Sequence, residues 1–157
     1  MARLHYRPAV SADAAECVAL RGRTRENAIS AATLASLGIT VGSWANDIET
    51  GRLLGYVCTD HDRIVGYCFG DKHTGEIVVL AVLPQYEGRG IGKALLLQVL
   101  EDLRSLGCRR LFLSCSSDAS HRSHGFYRHL GWRPTGSFDV NDDEILEFQW
   151  QDAAHEV

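Results

Sequence analysis

Residues 75–100, GEIVVLAVLPQYEGRGIGKALLLQVL, set an apolar β-type run, three glycines within five positions and a leucine-rich helix in direct succession. Few folds accommodate that order. A strand must end where a helix N-terminus begins, through a turn whose backbone is freed by Gly88, Gly90 and Gly92. A helix N-terminus offers unpaired N–H groups and a partial positive charge, and glycines let an anion approach them closely. Arg89 and Lys93 add countercharge, so the turn reads as a phosphate cradle. Two familiar cradles fail on spacing. A P-loop needs glycine five residues before Gly92 and Ser or Thr after Lys93, where this chain has Glu87 and Ala94. A dinucleotide fingerprint starting at Gly88 or Gly90 needs a small residue where Lys93 or Leu95 stands, and it should open an early βαβ unit.

The flanking sequence supplies a meander instead. RLLGYVCTD (52–60) and RIVGYCFGD (63–71) are β-rich runs separated by His61 and Asp62, a hairpin pattern, and the third run, 75–84, follows after KHTG. Connections this short imply antiparallel neighbours, because a parallel crossover takes a dozen or more residues. Upstream, RLHYRPA reads as a first strand stopped by Pro8. SADAAECVALRG follows as a helix ending at Gly22, with Asp13 three before Glu16 in capping-box spacing. Residues 24–50 predict two short helices. Downstream, residues 93–107 predict a helix with Leu96, Val99, Leu100, Leu103 and Leu106 on one stripe and Gly107 as its C-cap. A strand over 108–116, a helix over 120–131 closed by Gly131, and a final strand over 144–150 complete the expected elements.

At 157 residues, 45% hydrophobic and 23% charged, the chain suits one compact domain, expected over 1–150 with a frayed tail at 151–157. A net charge of −4 lacks the basic surface of a nucleic-acid binder. Cys17, Cys58, Cys68, Cys108 and Cys115 are odd in number, without C-x-x-C spacing and mostly in apolar runs, which fits reduced thiols in a cytoplasmic protein. No apolar run approaches the ~20 residues that span a bilayer, so a soluble protein without a membrane partner is expected.

LAVLPQYEGRGIGKALL strongly resembles the Q/R-x-x-G-x-G/A acyl-CoA motif of the GNAT superfamily of N-acyltransferases, and the order of elements resembles that fold along nearly the whole chain. Glu87 departs from the family's Gln or Arg. The resemblance implies an α/β (α+β) fold whose mixed, mainly antiparallel sheet is flanked by helices and splayed at the acyl-CoA site. It implies acetyl-CoA as cofactor. The backbone of Leu80, Ala81 and Val82 would pair with the pantetheine arm, and N–H groups from Glu87 through Gly88, Arg89, Gly90, Ile91 and Gly92 to Lys93 would hold the pyrophosphate. SHRSHGFYRHLGW resembles the family's N-x-x-A-x-x-F-Y-x-x-x-G-F segment, with Phe126, Tyr127, Gly131 and Trp132 in register and Ser120 and Ser123 replacing Asn and Ala beside CoA.

Acyl transfer to an amine needs a neutral nitrogen, a polarised thioester carbonyl and a proton for the departing sulfur. By resemblance, Tyr127 protonates the thiolate; the alternative is a core aromatic. Glu76 resembles the catalytic glutamate of the family's histone-acetylating branch, and reads equally as a strand-end carboxylate. Cys115 raises an acyl-cysteine route, but a free cysteine at a strand end is more often a small buried hydrophobe. His121, His124 and His129 lack metal-ligand spacing, and no metal is expected. The acceptor side resembles residues 23–46, with Arg25, Asn27 and Trp44 as candidates, joined by Tyr56 and Tyr67 on the hairpin. The expected reaction is direct acetyl transfer to a primary amine of a small molecule or peptide. The rival is a non-catalytic acyl-CoA-binding or sensing module. A homodimer is compatible with either.

Overall fold

The computed structural model describes residues 3–25 and 28–150. The expected frayed tail therefore lies outside the described residues. The chain divides into two compact units, Met1–Leu106 and Gly107–Val157.

In the first unit, β1 (Leu4–Pro8), β2 (Leu53–Asp60), β3 (Arg63–Asp71) and β4 (Glu76–Val82) lie side by side in that order, each antiparallel to the next. The β2–β3 turn is the two-residue hairpin expected, with His61 and Asp62 both at positive φ (51° and 69°), the twist that suits flanking strands. Two β-bulges interrupt the ladder. Register jumps from Cys58↔Gly66 to Thr59↔Ile64, leaving Val65 extra, and from Phe69↔Val79 to Gly70↔Ile77, leaving Val78 extra. Each extra residue shifts which face the following side chains take.

The two faces of β3 carry different helices. Gly66 and Gly70 face α4 (Ile91–Ser105), where added Cβ atoms would lie 3.2 Å from Ile91 and 3.0 Å from Val99 and Leu103. Tyr67 and Phe69 face the other way, edge-on to Trp44 of α3 (Val41–Glu49) at 5.6 and 5.5 Å. On the same side, the Tyr67 hydroxyl donates to the carbonyl of Cys17 in α1 (Ala14–Arg21). Thr40 and Ser43 cap α3 reciprocally: Thr40 Oγ1 accepts from the Ser43 N–H and Ser43 Oγ from the Thr40 N–H. Ser30 caps the short α2 (Ala31–Ser36).

Three local expectations are corrected. Asp13 and Glu16 form no capping box. Asp13 takes a two-pronged hydrogen bond from Arg7 and another from the Val10 N–H, while Glu16 accepts from the Ile64 N–H. The α4 stripe is Ile91, Leu95, Leu96, Val99, Leu100 and Leu103; Leu106 is 59% exposed, because it lies past the last helical turn, just before Gly107 at φ 96°. And α4 begins at Ile91, two residues earlier than the pattern predicts.

The second unit holds β5 (Arg110–Cys115), α5 (Arg122–His129), β6 (Arg133–Phe138) and β7 (Glu144–Gln149), with β7 antiparallel to β5 on one side and β6 on the other. Sequence patterning missed β6. It contains Pro134 and Gly136, and only Arg133, Pro134 and Phe138 take part in a register with β7. Proline is tolerated where no ladder donor is needed. Leu111, Leu113, Leu146 and Trp132 are buried here, with Trp132 5.4 Å from Phe148 and 6.0 Å from Tyr127.

Candidate functional site

Strand β4 ends at Val82, and Leu83 makes one further ladder bond, its N–H donating to Val65 O. A 3-10 turn, Pro84–Tyr86, then redirects the chain, and the Glu87 N–H closes it on Pro84 O. From there the backbone opens. The first bond into α4 runs from the Ala94 N–H to Gly90 O, so among the described residues the N–H groups of residues 88 to 93 meet no acceptor. Gly88 and Gly90 sit in the left-handed region at φ 77° and 79°, with nothing within 4 Å of where a Cβ would stand. Only these two of the three glycines need that backbone; Gly92 is already inside the helix. A row of outward N–H groups at a helix start, with open space above it, is an anion-binding arrangement.

The side chains around the turn are held in specific ways. Arg89 lies over the Tyr86 ring, 4.9 Å from its centroid, and donates to Gln85 O at 3.3 Å. Tyr86 is itself buried and anchored: its hydroxyl donates to Asp60, which also takes hydrogen bonds from the Arg3 N–H and the His61 ring. That anchoring, the Tyr86 hydrogen bond foremost, holds the Asp60 carboxyl down at about 2. Sequence reading missed Tyr86, whose only local signal is an aromatic ring three residues before a turn arginine. Lys93 is exposed at the start of α4, and Ile91 is buried in its core. Glu87 is turned toward Arg25, whose Nε lies 2.7 Å from its carboxylate.

The strand candidates line up along β4. Leu80, Ala81 and Val82 pair with Cys68, Tyr67 and Gly66 of β3. Glu76 stands at the other end of β4, half-buried and opposite Asp71, with its N–H on Thr74 Oγ1.

In the second unit, Tyr127 is buried on α5 against Phe126 and Trp132. Ser120 is exposed, and both its hydroxyl and its N–H donate to Asp118; Ser123 is partly covered. Cys115 is buried, and that burial pushes its thiol up to about 11, so it is protonated at neutral pH and not poised as a nucleophile. Among the described residues, no group of three or more His, Cys, Asp or Glu is arranged to hold a metal ion.

The acceptor candidates scatter. Tyr67 is fully buried, packed beside Trp44 and Phe69, with its hydroxyl donating to Cys17 O, and burial pushes that hydroxyl far up. Trp44 is likewise a core ring, although its buried indole N–H meets no acceptor among the described residues. Tyr56 is tied to α4, its hydroxyl 2.7 Å from Asp102. Asn27 lies outside the described residues. Arg25 sits at the glycine turn.

Comparison with known proteins bears on the family and the fold. The acetyltransferase (GNAT) family model matches residues 22–132. Glucosamine 6-phosphate N-acetyltransferase of Trypanosoma brucei brucei is 41% identical over 64 residues, 41% of this chain and 41% of that protein. Mycothiol acetyltransferase of Beutenbergia cavernae is 41% identical over 64 residues, 41% of this chain but 21% of its own length. The chain thus matches well under half of either relative. The PaiA N-acetyltransferase of Thermoplasma acidophilum, solved in complex with coenzyme A, superposes with a TM-score of 0.71 at 17% identity, covering 94% of this chain and 99% of that one. At that identity the likeness concerns the fold, an α/β arrangement of mainly antiparallel strands and flanking helices. No helix among the described residues is long and apolar enough to cross a membrane.

Proposed function

The chain belongs to the acetyltransferase (GNAT) family, and from that premise we propose that it is an acetyl-CoA-dependent N-acetyltransferase acting on a primary amine through a ternary complex. The observation that carries this reading is the row of unengaged N–H groups along residues 88 to 93, with open space over Gly88 and Gly90 and Arg89 and Lys93 beside it. A pyrophosphate has the charge and size for such a row. Leu80, Ala81 and Val82 then run alongside the pantetheine arm, Ser120 and Ser123 flank CoA, and a backbone N–H near Val82 polarises the thioester carbonyl.

In the reaction the neutral amine nitrogen attacks the carbonyl carbon, the C–N bond forms and the C–S bond breaks. One proton leaves nitrogen and one reaches sulfur. Glu76 accepts the first, directly or through water, and Tyr127 supplies the second. The acceptor is the amine of a small molecule or of a protein terminus or lysine; glucosamine 6-phosphate heads the screen because a relative is named for it. Residues 1–150 serve as a single acetyltransferase domain, and the buried free thiols of Cys17, Cys58, Cys68 and Cys115 suit the cytoplasm.

Release of CoA thiol from acetyl-CoA, followed with a thiol reagent across an amine panel, tests the reading. It should depend on the amine. Tight acetyl-CoA binding with no amine-dependent release would leave a non-catalytic binding module in its place. In the active enzyme, Tyr127→Phe is expected to lower kcat by about 100-fold with KM for acetyl-CoA little changed; equal turnover removes Tyr127 from the mechanism. Glu76→Gln should flatten the acidic limb of the kcat/KM profile, and an unaltered limb assigns the base elsewhere.

A further inference from the structure

Glu87 is out of place in a phosphate cradle. Where the resemblance to the family implies Gln or Arg, this chain has a carboxylate next to Gly88, and like charges repel if an anion enters the turn. The structure supplies its counterpart from 62 residues upstream: Arg25 Nε donates to Glu87 Oε1 at 2.7 Å. The two ends of this pair differ. The Glu87 side chain is 17% exposed, so its charge is largely covered, whereas Arg25 is 55% exposed. Glu87 grips the guanidinium by its Nε edge, and among the described residues the two Nη nitrogens meet no acceptor. The outcome is a guanidinium held by its Nε edge at the rim of the glycine turn, whose four Nη–H donors, like the N–H groups of the turn beside it, meet no acceptor among the described residues.

We propose that Arg25 is a phosphate-binding residue of the acyl-CoA site and that Glu87 is the positioning residue that holds it there. The inference rests on the reading of the turn as a pyrophosphate cradle. It moves Arg25 from the acceptor side to the cofactor side. It also accounts for Glu87, because the pair replaces one neutral or cationic side chain on the turn with a cation delivered from the segment after α1. A guanidinium offers a planar fork that matches phosphate oxygens, and anchoring it beforehand lowers the ordering cost when the ligand arrives.

The experiment is equilibrium titration of wild type, Arg25→Gln, Arg25→Lys, Glu87→Gln and the Arg25→Gln/Glu87→Gln double variant with CoA, and of wild type with pantetheine, at several salt concentrations. Arg25→Gln should weaken CoA binding about 10-fold, the loss of one charge-assisted contact. Its log Kd should also vary less steeply with log salt. Arg25→Lys should recover part of the affinity. In the Glu87→Gln background, Arg25→Gln should still weaken CoA by a few-fold, which a residue that only neutralised Glu87 would not do. Unchanged CoA affinity in Arg25→Gln, or an effect confined to the KM of the amine, overturns the proposal while the cradle stands. A wild-type protein that binds CoA no better than pantetheine overturns the cradle and this inference together.

Discussion

A Cβ added at Gly55 would lie 2.3 Å from the Phe69 ring and 2.7 Å from the Cys68 carbonyl oxygen, whereas one added at Gly88 or Gly90 would meet nothing within 4 Å. In the sheet, glycine is present because there is no room: Gly55 lets Phe69 lie across β2, and Gly66 and Gly70 let α4 settle onto β3. In the turn there is ample room, and glycine is present because the backbone takes a left-handed conformation that side chains disfavour. Crowding and openness leave the same letter in the sequence. The sheet glycines belong to the core and its stability. The turn glycines belong to a left-handed backbone path that leaves open space beside its N–H groups, the space the proposed function assigns to the cofactor.

Substitution should separate the two sets. The largest effect is expected for Gly55→Ala, which must displace the Phe69 ring and the Cys68 carbonyl and should cost about 3 kcal/mol in urea unfolding. A cost well under 1 kcal/mol would mean that β2 and β3 part easily, and the contrast with the turn would weaken. Gly90→Val should cost less in stability, about 2 kcal/mol for a branched residue at positive φ, yet reduce CoA affinity by at least ~10-fold as its side chain fills the approach to the N–H row. Unchanged affinity in a folded variant would refute the cradle.

The smallest effect concerns pH. The sheet set is held by apolar contacts, but the turn is also fastened through Tyr86 to Asp60, whose folded-state value of about 2 lies below the ordinary 3.8. A depressed carboxyl stabilises the fold above its unfolded value, and that contribution fades as pH falls from about 4 through about 2. Asp60→Asn should therefore remove part of the acid dependence of the melting temperature in that window and none above pH 5. A variant that follows the wild-type curve throughout would show that the anchor adds nothing to the turn.

Much of the arrangement was legible beforehand where the cause is local. His61-Asp62 announces its hairpin because two residues must both take positive φ, and Gly107 and Gly131 close α4 and α5 for a similar reason. The glycine turn was legible because strand, glycines and helix are contiguous. The burial of Tyr67 could not be read from the sequence, because a β-strand side chain points to one face or the other, and the bulge at Val65 shifts that alternation just before it. Strand β6 escaped notice because a short strand with a proline and a glycine has little pattern of its own.

By itself, then, the sequence determined most of the elements and the glycine turn, since capping, periodicity and glycine geometry act over three or four neighbouring residues. Only the tertiary structure decided which side chains those elements present and to what. Whether Tyr67 or Tyr56 meets the core or α4 depends on register, and the partnership of Arg25 with Glu87 depends on a fold that brings together residues 62 positions apart. Contacts of that range have no trace in any local pattern, because each partner's own neighbours are compatible with many others.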